Sequence, residues 1–306
     1  EDEDEDYEGK SEGEDSVIDS SDSSISDYNY IPGKGKFAAY MSYASSSIEE
    51  KGRYQGSISS DYKSDSSGVD LTIEYGLSEN SAFGVIVGQK LDQKTSTYYP
   101  GTGNTYKYEY GGLSDPSFYY QMVMGIGNSK SSVVIGIAPK LGTYEPATTT
   151  KKGNNKRGRS IFYGKYKFSK KSGGFSYQVK GGASYVGKKE IQYSTGVAIL
   201  SSRFDIDVSL NIQKFISQKF IVDAFAAYDS IGSYEYTYTS GKISEFTGLS
   251  SFTFGGGIGY AFTKKQFVSI GVDMGSGSGS ELYDNYANLE YESSSTSFSL
   301  SYSIAF

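Results

Sequence analysis

The 306-residue sequence contains no cysteine, no histidine and no tryptophan. Without cysteine the chain can form neither disulfides nor thiolate metal sites. Without histidine it lacks the residue that most often serves as a general base or a metal ligand. Ser-His-Asp triads and histidine-bearing zinc sites are therefore excluded, and we expect no catalytic residue, no metal and no cofactor. The chain also lacks an apolar run of the ~20 residues that a membrane-spanning helix needs.

Negative charge is concentrated at the N-terminus. Residues 1–30 hold 13 acidic residues and one lysine, whereas the rest of the chain holds 23 acidic and 28 basic residues. The net charge of −7 therefore combines an acidic tail of −12 with a body of +5. Because the tail has few apolar side chains to bury, we predict that residues 1–30 are disordered, with a structured plug as the alternative.

From Lys36 onwards, apolar and polar residues alternate with a period of two. In FDIDVSLNIQ, residues 204–213, every second residue is apolar. This period is typical of β-strands with one apolar face, and no window shows a helical period. Twelve such segments are recognisable, at about 36–46, 68–77, 81–92, 115–126, 131–144, 159–170, 174–188, 202–216, 219–230, 250–262, 266–276 and 295–306.

Short and long connections alternate between the twelve segments. Connections such as LSEN, KKSG and TKKQ are short, whereas 47–67, 93–114, 145–158, 189–201, 231–249 and 277–294 are long. An even number of antiparallel strands with both termini on the short-turn side produces this asymmetry. We therefore predict an all-β fold in which residues 31–306 form a 12-stranded antiparallel transmembrane up-and-down β-barrel.

The second face of the segments is rich in Gly, Ser, Asp, Lys and Gln. Twelve strands enclose a bore too wide to be filled by apolar side chains. The pattern thus predicts apolar residues facing outward into lipid and polar residues facing inward around water. Aromatic residues near the strand ends, such as Phe83, Phe204 and Phe262, would form the girdles at the membrane interfaces.

The last ten residues, SFSLSYSIAF, place apolar side chains at every second position: Phe298, Leu300, Tyr302, Ile304 and Phe306. This stripe resembles the C-terminal signature of bacterial outer-membrane proteins. The resemblance implies that the barrel-insertion machinery recognises the stripe as an insertion signal, although Phe306 could instead be a girdle aromatic. It also implies a Gram-negative outer-membrane location among lipid and lipopolysaccharide, with periplasmic termini and extracellular long loops. The chain opens EDEDEDYEGK, without the regions of a signal peptide, so we expect that a signal peptide has been removed.

A second resemblance rests on GGLSDPSFYYQMVMG, residues 111–125. This stretch is similar to the Gly-Leu-Gly-Asp segment that opens a central strand in the phenol-degradation meta-pathway transporter family, relatives of the fatty-acid channels. Ser114 stands where that pattern has its second glycine. The resemblance implies a channel for small, hydrophobic molecules. The alternative is that Gly111, Gly112 and Pro116 only shape the entry into the strand.

Strand parity predicts which charged residues face the bore. The predicted basic wall comprises Lys90, Lys140, Lys165, Lys167 and Lys180. The predicted acidic wall comprises Asp70, Glu74, Asp205, Asp207, Asp223, Asp229 and Asp273. Opposed walls would set up a transverse field and ion selectivity in an open bore. Alternatively, the same charges would pair across the bore and close it.

The predicted long connections carry two further features. Several are rich in tyrosine, as in STYYPGTGNTYKYEY at residues 96–110. These tyrosines could stack on sugars or form a substrate vestibule, or they could simply reflect strand propensity in long hairpins. The run TKKGNNKRGR at residues 150–159 could bind lipid phosphates or steer anions, or could be a solvated loop tip.

These patterns favour a porin-like outer-membrane channel for passive passage of small solutes. The alternative is a barrel that binds a partner through its acidic tail or tyrosine-rich loops. The acidic tail could bind a periplasmic protein, gate the pore, bind divalent cations loosely, or act only as a spacer. An autotransporter translocator would thread a helix through the bore, which residues 1–35 do not predict. Barrel phospholipases and proteases depend on histidine, so we expect no enzyme, and nothing in the sequence indicates nucleic-acid binding.

Overall fold

A computed structural model describes residues 24–126, 128–148, 150–193, 196–283 and 287–306. All regular secondary structure in these ranges is β-strand, and within them no helix is long and apolar enough to cross a membrane. The strands are β1 Phe37–Tyr54, β2 Ser57–Ser78, β3 Ser81–Tyr99, β4 Asn104–Leu113, β5 Ser117–Ile126, β6 Ser129–Ala138, β7 Gly153–Asn154, β8 Ile161–Ser172, β9 Phe175–Val186, β10 Lys189–Tyr193, β11 Gly196–Leu200, β12 Arg203–Phe215, β13 Phe220–Ile231, β14 Tyr234–Thr237, β15 Ile243–Thr263, β16 Gln266–Tyr283 and β17 Ala287–Ala305.

Twelve of these strands form a closed antiparallel barrel. Their order around the wall is β1, β2, β3, β5, β6, β8, β9, β12, β13, β15, β16 and β17. The last strand pairs with the first from Ala38–Ala305 to Tyr54–Leu289, so the sheet has no free edge at the closure. The twelve predicted segments each correspond to one barrel strand, which confirms the predicted all-β class, strand number and antiparallel order.

The apolar stripe of each strand lies on the outer surface of the barrel. On β12, Phe204 and Ile206 are 67% and 55% exposed, whereas Asp205 and Asp207 between them are partly buried. Polar side chains such as Glu74 and Gln178 are instead buried on the inner side. Since a water-soluble barrel would place its apolar residues inside, this barrel has the inverted polarity that the sequence predicted.

The two ends of the barrel differ in the length of their connections. One end, here called the short-turn end, carries the turns at residues 79–80, 173–174, 216–219 and 264–265, the short connection between β5 and β6, and the entry to β1. The other, the long-loop end, carries the additional strands β4, β7, β10, β11 and β14. The prediction that residues 47–67 and 277–294 are connections was wrong, because β1, β2, β16 and β17 continue through most of them. In these extended parts of the four strands the outward apolar stripe ends, but the backbone hydrogen bonds between the strands continue.

Glycines on the inner wall make room for tyrosines on neighbouring strands. A Cβ atom on Gly84 would lie 2.2 Å from the ring of Tyr119, and one on Gly136 would lie 2.2 Å from the ring of Tyr163. The register places Gly84 opposite Tyr119 and Gly136 opposite Tyr163. The two tyrosine rings can therefore lie flat against the wall because these positions have no side chain.

Candidate functional site

Residues 24–36 cross the interior at the short-turn end before the chain enters β1, and we call them the crossing segment. Near its start, the amide of Ile25 donates a hydrogen bond to the carbonyl of Lys264, in the turn between β15 and β16. Ile25 also packs with Ala38 and Ala305 in a small buried cluster. Further along, Asn29 contacts β6, β8 and β9 on another part of the wall. The segment therefore joins separate parts of the barrel wall.

Asn29 fixes the crossing segment to the wall through both ends of its amide group. Its Nδ2 donates to Ser169 Oγ at 3.0 Å and to the carbonyl of Lys130 at 3.4 Å. Its Oδ1 accepts from Ser132 Oγ at 3.1 Å and from Gln178 Nε2 at 3.3 Å. Asn29 has a φ of 58°, in the left-handed region that asparagine tolerates better than most residues. All these side chains are buried, so the wall provides a site matched to this amide.

An ion pair strengthens the same attachment. Asp27 Oδ1 lies 2.6 Å from Lys171 Nζ at the end of β8, and the Asp27 side chain is almost fully buried. The neighbouring Tyr28 faces the opposite direction, toward β13 and β16. There it borders a cavity of about 200 Å³ together with Asp223 and Asp273. The crossing segment thus narrows the bore and leaves a polar space beside it.

The prediction of a disordered tail extended to residue 30. Residues 1–23 lie outside the described residues, and for them the prediction is untested. Residues 24–30 belong to the crossing segment and make the contacts given above.

Two tyrosines hold Glu74 on the inner face of the wall, where it lies opposite Ala38 near the short-turn end. Tyr119 donates a hydrogen bond to Glu74 Oε1 at 2.5 Å, and Tyr40 donates to Oε2 at 3.0 Å. Glu74 is only 5% exposed. Lys167 on β8 is close enough for its charge to interact with the Glu74 carboxylate. Each carboxylate oxygen therefore has a partner, as a buried charge requires.

The predicted basic residues Lys165, Lys167 and Lys180 lie together on β8 and β9, where Lys167 pairs directly with Lys180. The acidic strand β12 is next to β9, and Lys165 Nζ lies 3.4 Å from Asp207 Oδ1. This part of the basic wall therefore borders the acidic residues instead of facing them across the bore. Asp229 on β13 also lies near Asp207 and Lys165.

The other predicted wall residues are more dispersed. Asp205 accepts from Arg203 Nε at 2.9 Å, and Asp273 accepts from Ser297 Oγ at 2.5 Å. The carboxylate of Asp70 lies over Gly88 of β3. Asp223 borders the cavity beside the crossing segment.

The two remaining predicted lysines lie away from the β8–β9 group. Lys90, on β3, donates to Gln93 Oε1 at 2.6 Å. Lys140 follows the end of β6, and its side chain is exposed.

The predicted C-terminal insertion signal lies on β17, between β16 and β1. Phe298 and Leu300 are 43% and 42% exposed on the outer surface, and Phe306 after the strand is 61% exposed. Tyr302 and Ile304 are partly buried. The amide of Phe306 donates to the carbonyl of Phe37, which fixes the C-terminus to the first strand.

A larger chamber of about 460 Å³ lies on the inner side of the wall at the long-loop end. The register places Gln93 beside Tyr110 and Thr95 beside Tyr108 on one face of the sheet. Four tyrosines contribute to its lining: Tyr62, Tyr108, Tyr110 and Tyr144. Lys90 and Lys156 supply its positive charge. The tyrosine-rich hairpin at residues 96–110 therefore forms part of an interior vestibule.

A buried Asp115 anchors the connection between β6 and β8 beside this chamber. Asp115 Oδ2 accepts from the amide of Arg157 at 3.1 Å, and Lys156 Nζ lies 3.5 Å from Asp115 Oδ1. Arg157 Nη1 donates to the Asp115 carbonyl at 2.5 Å. In the same GGLSDP stretch, Gly112 has a φ of 105°, which favours glycine. The basic run at residues 150–159 is thus partly bound to the barrel wall.

A group of cations lies above the ends of β8, β9 and β12. Lys189 Nζ lies 3.2 Å from the centre of the Tyr144 ring, and the guanidinium carbon of Arg203 lies 4.7 Å from that of Tyr234. Burial, and then the nearby charge of Arg159, lowers the pKa of Lys189 to about 8. Within the described residues, the buried Nη1 of Arg159 has no hydrogen-bond partner. The positive potential at this end is therefore only partly neutralised.

Sequence reasoning identified Glu74 as a bore-facing residue, but it did not identify Asn29, Asp115 or the partners of Glu74, Tyr40 and Tyr119, as functional residues. Asp115 lies within the GGLSDP resemblance, which was the available signal for it. The alternation along their strands places Tyr40 and Tyr119 on the inner face of the wall, as it does Glu74. Asn29 carried no local signal, because all its partners lie about a hundred residues or more away in the sequence.

No protein-family model and no curated protein sequence matches the chain. Among solved structures, an outer-membrane channel from Pseudomonas putida F1 is 14% identical, with a TM-score of 0.65 over 92% of this chain and 98% of that one. A Pseudomonas aeruginosa FadL homologue is 11% identical (TM-score 0.47; 90% and 91% covered). The TodX monoaromatic hydrocarbon channel, as a deletion mutant, is 8% identical (TM-score 0.44; 91% and 92% covered). Of these three, the Pseudomonas putida channel alone has a TM-score above 0.5, and at 14% identity that similarity shows a shared fold.

Proposed function

We propose that this protein is an outer-membrane channel for small solutes. The observation that carries the proposal is the inverted polarity of a closed barrel, with an apolar outer surface around a polar, charged interior. Such a surface is stable against hydrocarbon, and a closed barrel leaves no unpaired backbone groups within it. The fold shared with the Pseudomonas putida channel, itself an outer-membrane channel, supports the same function.

The proposed orientation places the short-turn end in the periplasm and the long-loop end outside the cell. Short periplasmic turns and longer external extensions are usual for barrels of this kind. The termini and the crossing segment would then be periplasmic, and the tyrosine-lined chamber would receive solutes first. The outward residues Phe298 and Leu300 would contact lipid, and the C-terminal stripe would serve as the insertion signal.

In this proposal solutes pass without energy input through a charged, partly closed bore. The charges at Lys165, Lys167, Asp207 and Glu74 would favour polar and ionic solutes over apolar ones. The crossing segment, held by Asn29, would limit the flow at the periplasmic end. The channel would therefore conduct less than an open bore of twelve strands would allow.

Conductance of the purified protein in planar lipid bilayers tests the proposal. We expect small, discrete current steps that a variant lacking residues 1–35 enlarges several-fold. A barrel that inserts yet conducts no ions, both with and without residues 1–35, would refute the channel function. A partner-binding role would then become the better explanation.

A further inference from the structure

We propose that the chamber at the long-loop end is a binding site for a small carboxylate carried on a hydroxylated ring. This inference rests on the proposed channel function and names its solute class. It starts from the chemistry of the lining. None of the side chains that line the chamber is aliphatic, although the enclosed volume of about 460 Å³ is sufficient for a small organic molecule.

A single lysine gives the site its charge preference. Lys156 is paired with the buried Asp115, with Nζ and Oδ1 3.5 Å apart. Lys90 donates to the neutral Gln93, and no ion pair of Lys90 occurs among the described residues. No acidic side chain lines the chamber. The site therefore holds about one uncompensated positive charge, which matches a monoanion better than a neutral or doubly charged solute.

The tyrosines favour a ring. Tyr62, Tyr108 and Tyr110 extend from β2 and β4 around the chamber, and Tyr144 closes it from the β6–β8 connection. Tyr144 already carries a cation on its ring, Lys189 at 3.2 Å, which adds positive potential beside the chamber. Aromatic faces stack on other aromatic rings and on the apolar faces of sugar rings. The geometry thus favours a flat or cyclic solute.

The remaining lining residues favour hydroxyl groups on that ring. Thr95, Thr97, Asn154 and Asn155 supply donors and acceptors to the chamber. A hydrocarbon could not satisfy them, and each polar group left unpaired in a complex weakens binding. The site should therefore discriminate against monoaromatic hydrocarbons such as toluene, which carry neither hydroxyl nor carboxylate groups.

Isothermal titration of the full-length protein in detergent micelles tests this inference without requiring conduction. The ligand series is 4-hydroxybenzoate, its methyl ester, glucuronate, glucose and toluene. We expect 4-hydroxybenzoate or glucuronate to bind at least about 10-fold more tightly than its neutral counterpart, the ester or glucose, since a charged hydrogen bond is lost in each. Which of the two acids binds more tightly distinguishes an aromatic from a sugar solute.

Lys90→Gln should reduce the affinity for the preferred acid by about 10-fold and leave that for its neutral counterpart unchanged. Lys107→Gln is the matched control, because Lys107 is exposed on β4 and its substitution removes the same charge at the same end of the barrel. Equal affinity for acid and neutral counterpart, or tighter binding of toluene, would overturn the inference even if Lys90→Gln failed to fold. Binding without conductance would instead remove only the channel function.

Discussion

Replacing Asn29 by glycine should release the crossing segment from the barrel wall. Glycine accepts the φ of 58°, so the change removes the side chain without straining the backbone. Four hydrogen bonds are lost, two at 3.0 and 3.1 Å and two at 3.3 and 3.4 Å. At about 0.5–1.5 kcal/mol for each bond, and less for the longer two, the attachment weakens by roughly 2–4 kcal/mol. This corresponds to a roughly 30- to 1000-fold increase in the equilibrium between released and attached segment.

Two assays on the same protein measure this release. Limited proteolysis in detergent should cleave the Asn29→Gly variant within residues 24–36 much faster than the parent, because cleavage follows the population of the released state. Single-channel recordings should show more frequent or longer open periods. Asn80→Gly, in an exposed turn at the same end, is the control and should change neither result. If Asn29→Gly matched the parent in both assays, the amide contacts would not hold the segment.

Two further predictions concern packing and titration. Gly136→Ala should lower the midpoint of urea unfolding in detergent, because the added Cβ would lie 2.2 Å from the Tyr163 ring. In the control variant Gly164→Ala the added Cβ meets open space, so the midpoint should hardly change. Equal midpoints for the two variants would refute the packing argument. Because burial, and then Arg159, lowers the pKa of Lys189 to about 8 from its usual 10.5, the folded protein binds fewer protons than the unfolded chain between those values. The free energy of unfolding should therefore gain a contribution from Lys189 that rises with pH in this window and is absent in Lys189→Met, and an unchanged pH slope in that variant would contradict it.

The barrel could be predicted because its information is local. Alternation such as that of residues 204–213 identifies a strand and its apolar face, and the lengths of the connections indicate which strands are neighbours. The twelve predicted segments all correspond to barrel strands. The strand ends were predicted less well. Beyond Ile48, β1 continues as the charged stretch EEKGRY, and the opposite part of β2, SISSDYKSDSS, is rich in serine. Both stretches resemble a loop, although pairing continues from Glu49–Lys63 to Tyr54–Ser57.

The interior could be predicted only in part. Alternation along a strand tells whether a side chain lies on the inner or the outer face of the wall, but not which residue it contacts. Parity placed Lys165 and Asp207 on the inner face but could not show that they pair at 3.4 Å across β9. The contacts of Asn29 depend on three strands meeting around one amide, which requires the closed barrel to exist first. The tyrosine-rich hairpins predict a vestibule as one alternative, but the sequence pattern predicts neither the lysines that line it nor its volume.

The polarity of the barrel is tested most directly by a single tryptophan, because the chain contains none and gives no background signal. Ile206→Trp places it on the outer surface of β12, and Tyr98→Trp places it near the tip of the β3–β4 hairpin at the long-loop end. In liposomes containing brominated phospholipid, the Ile206→Trp fluorescence should be strongly quenched and insensitive to aqueous iodide, and Tyr98→Trp should behave in the opposite way. Iodide quenching of Ile206→Trp without quenching by the lipid would contradict the account, since the apolar face would then lie in water.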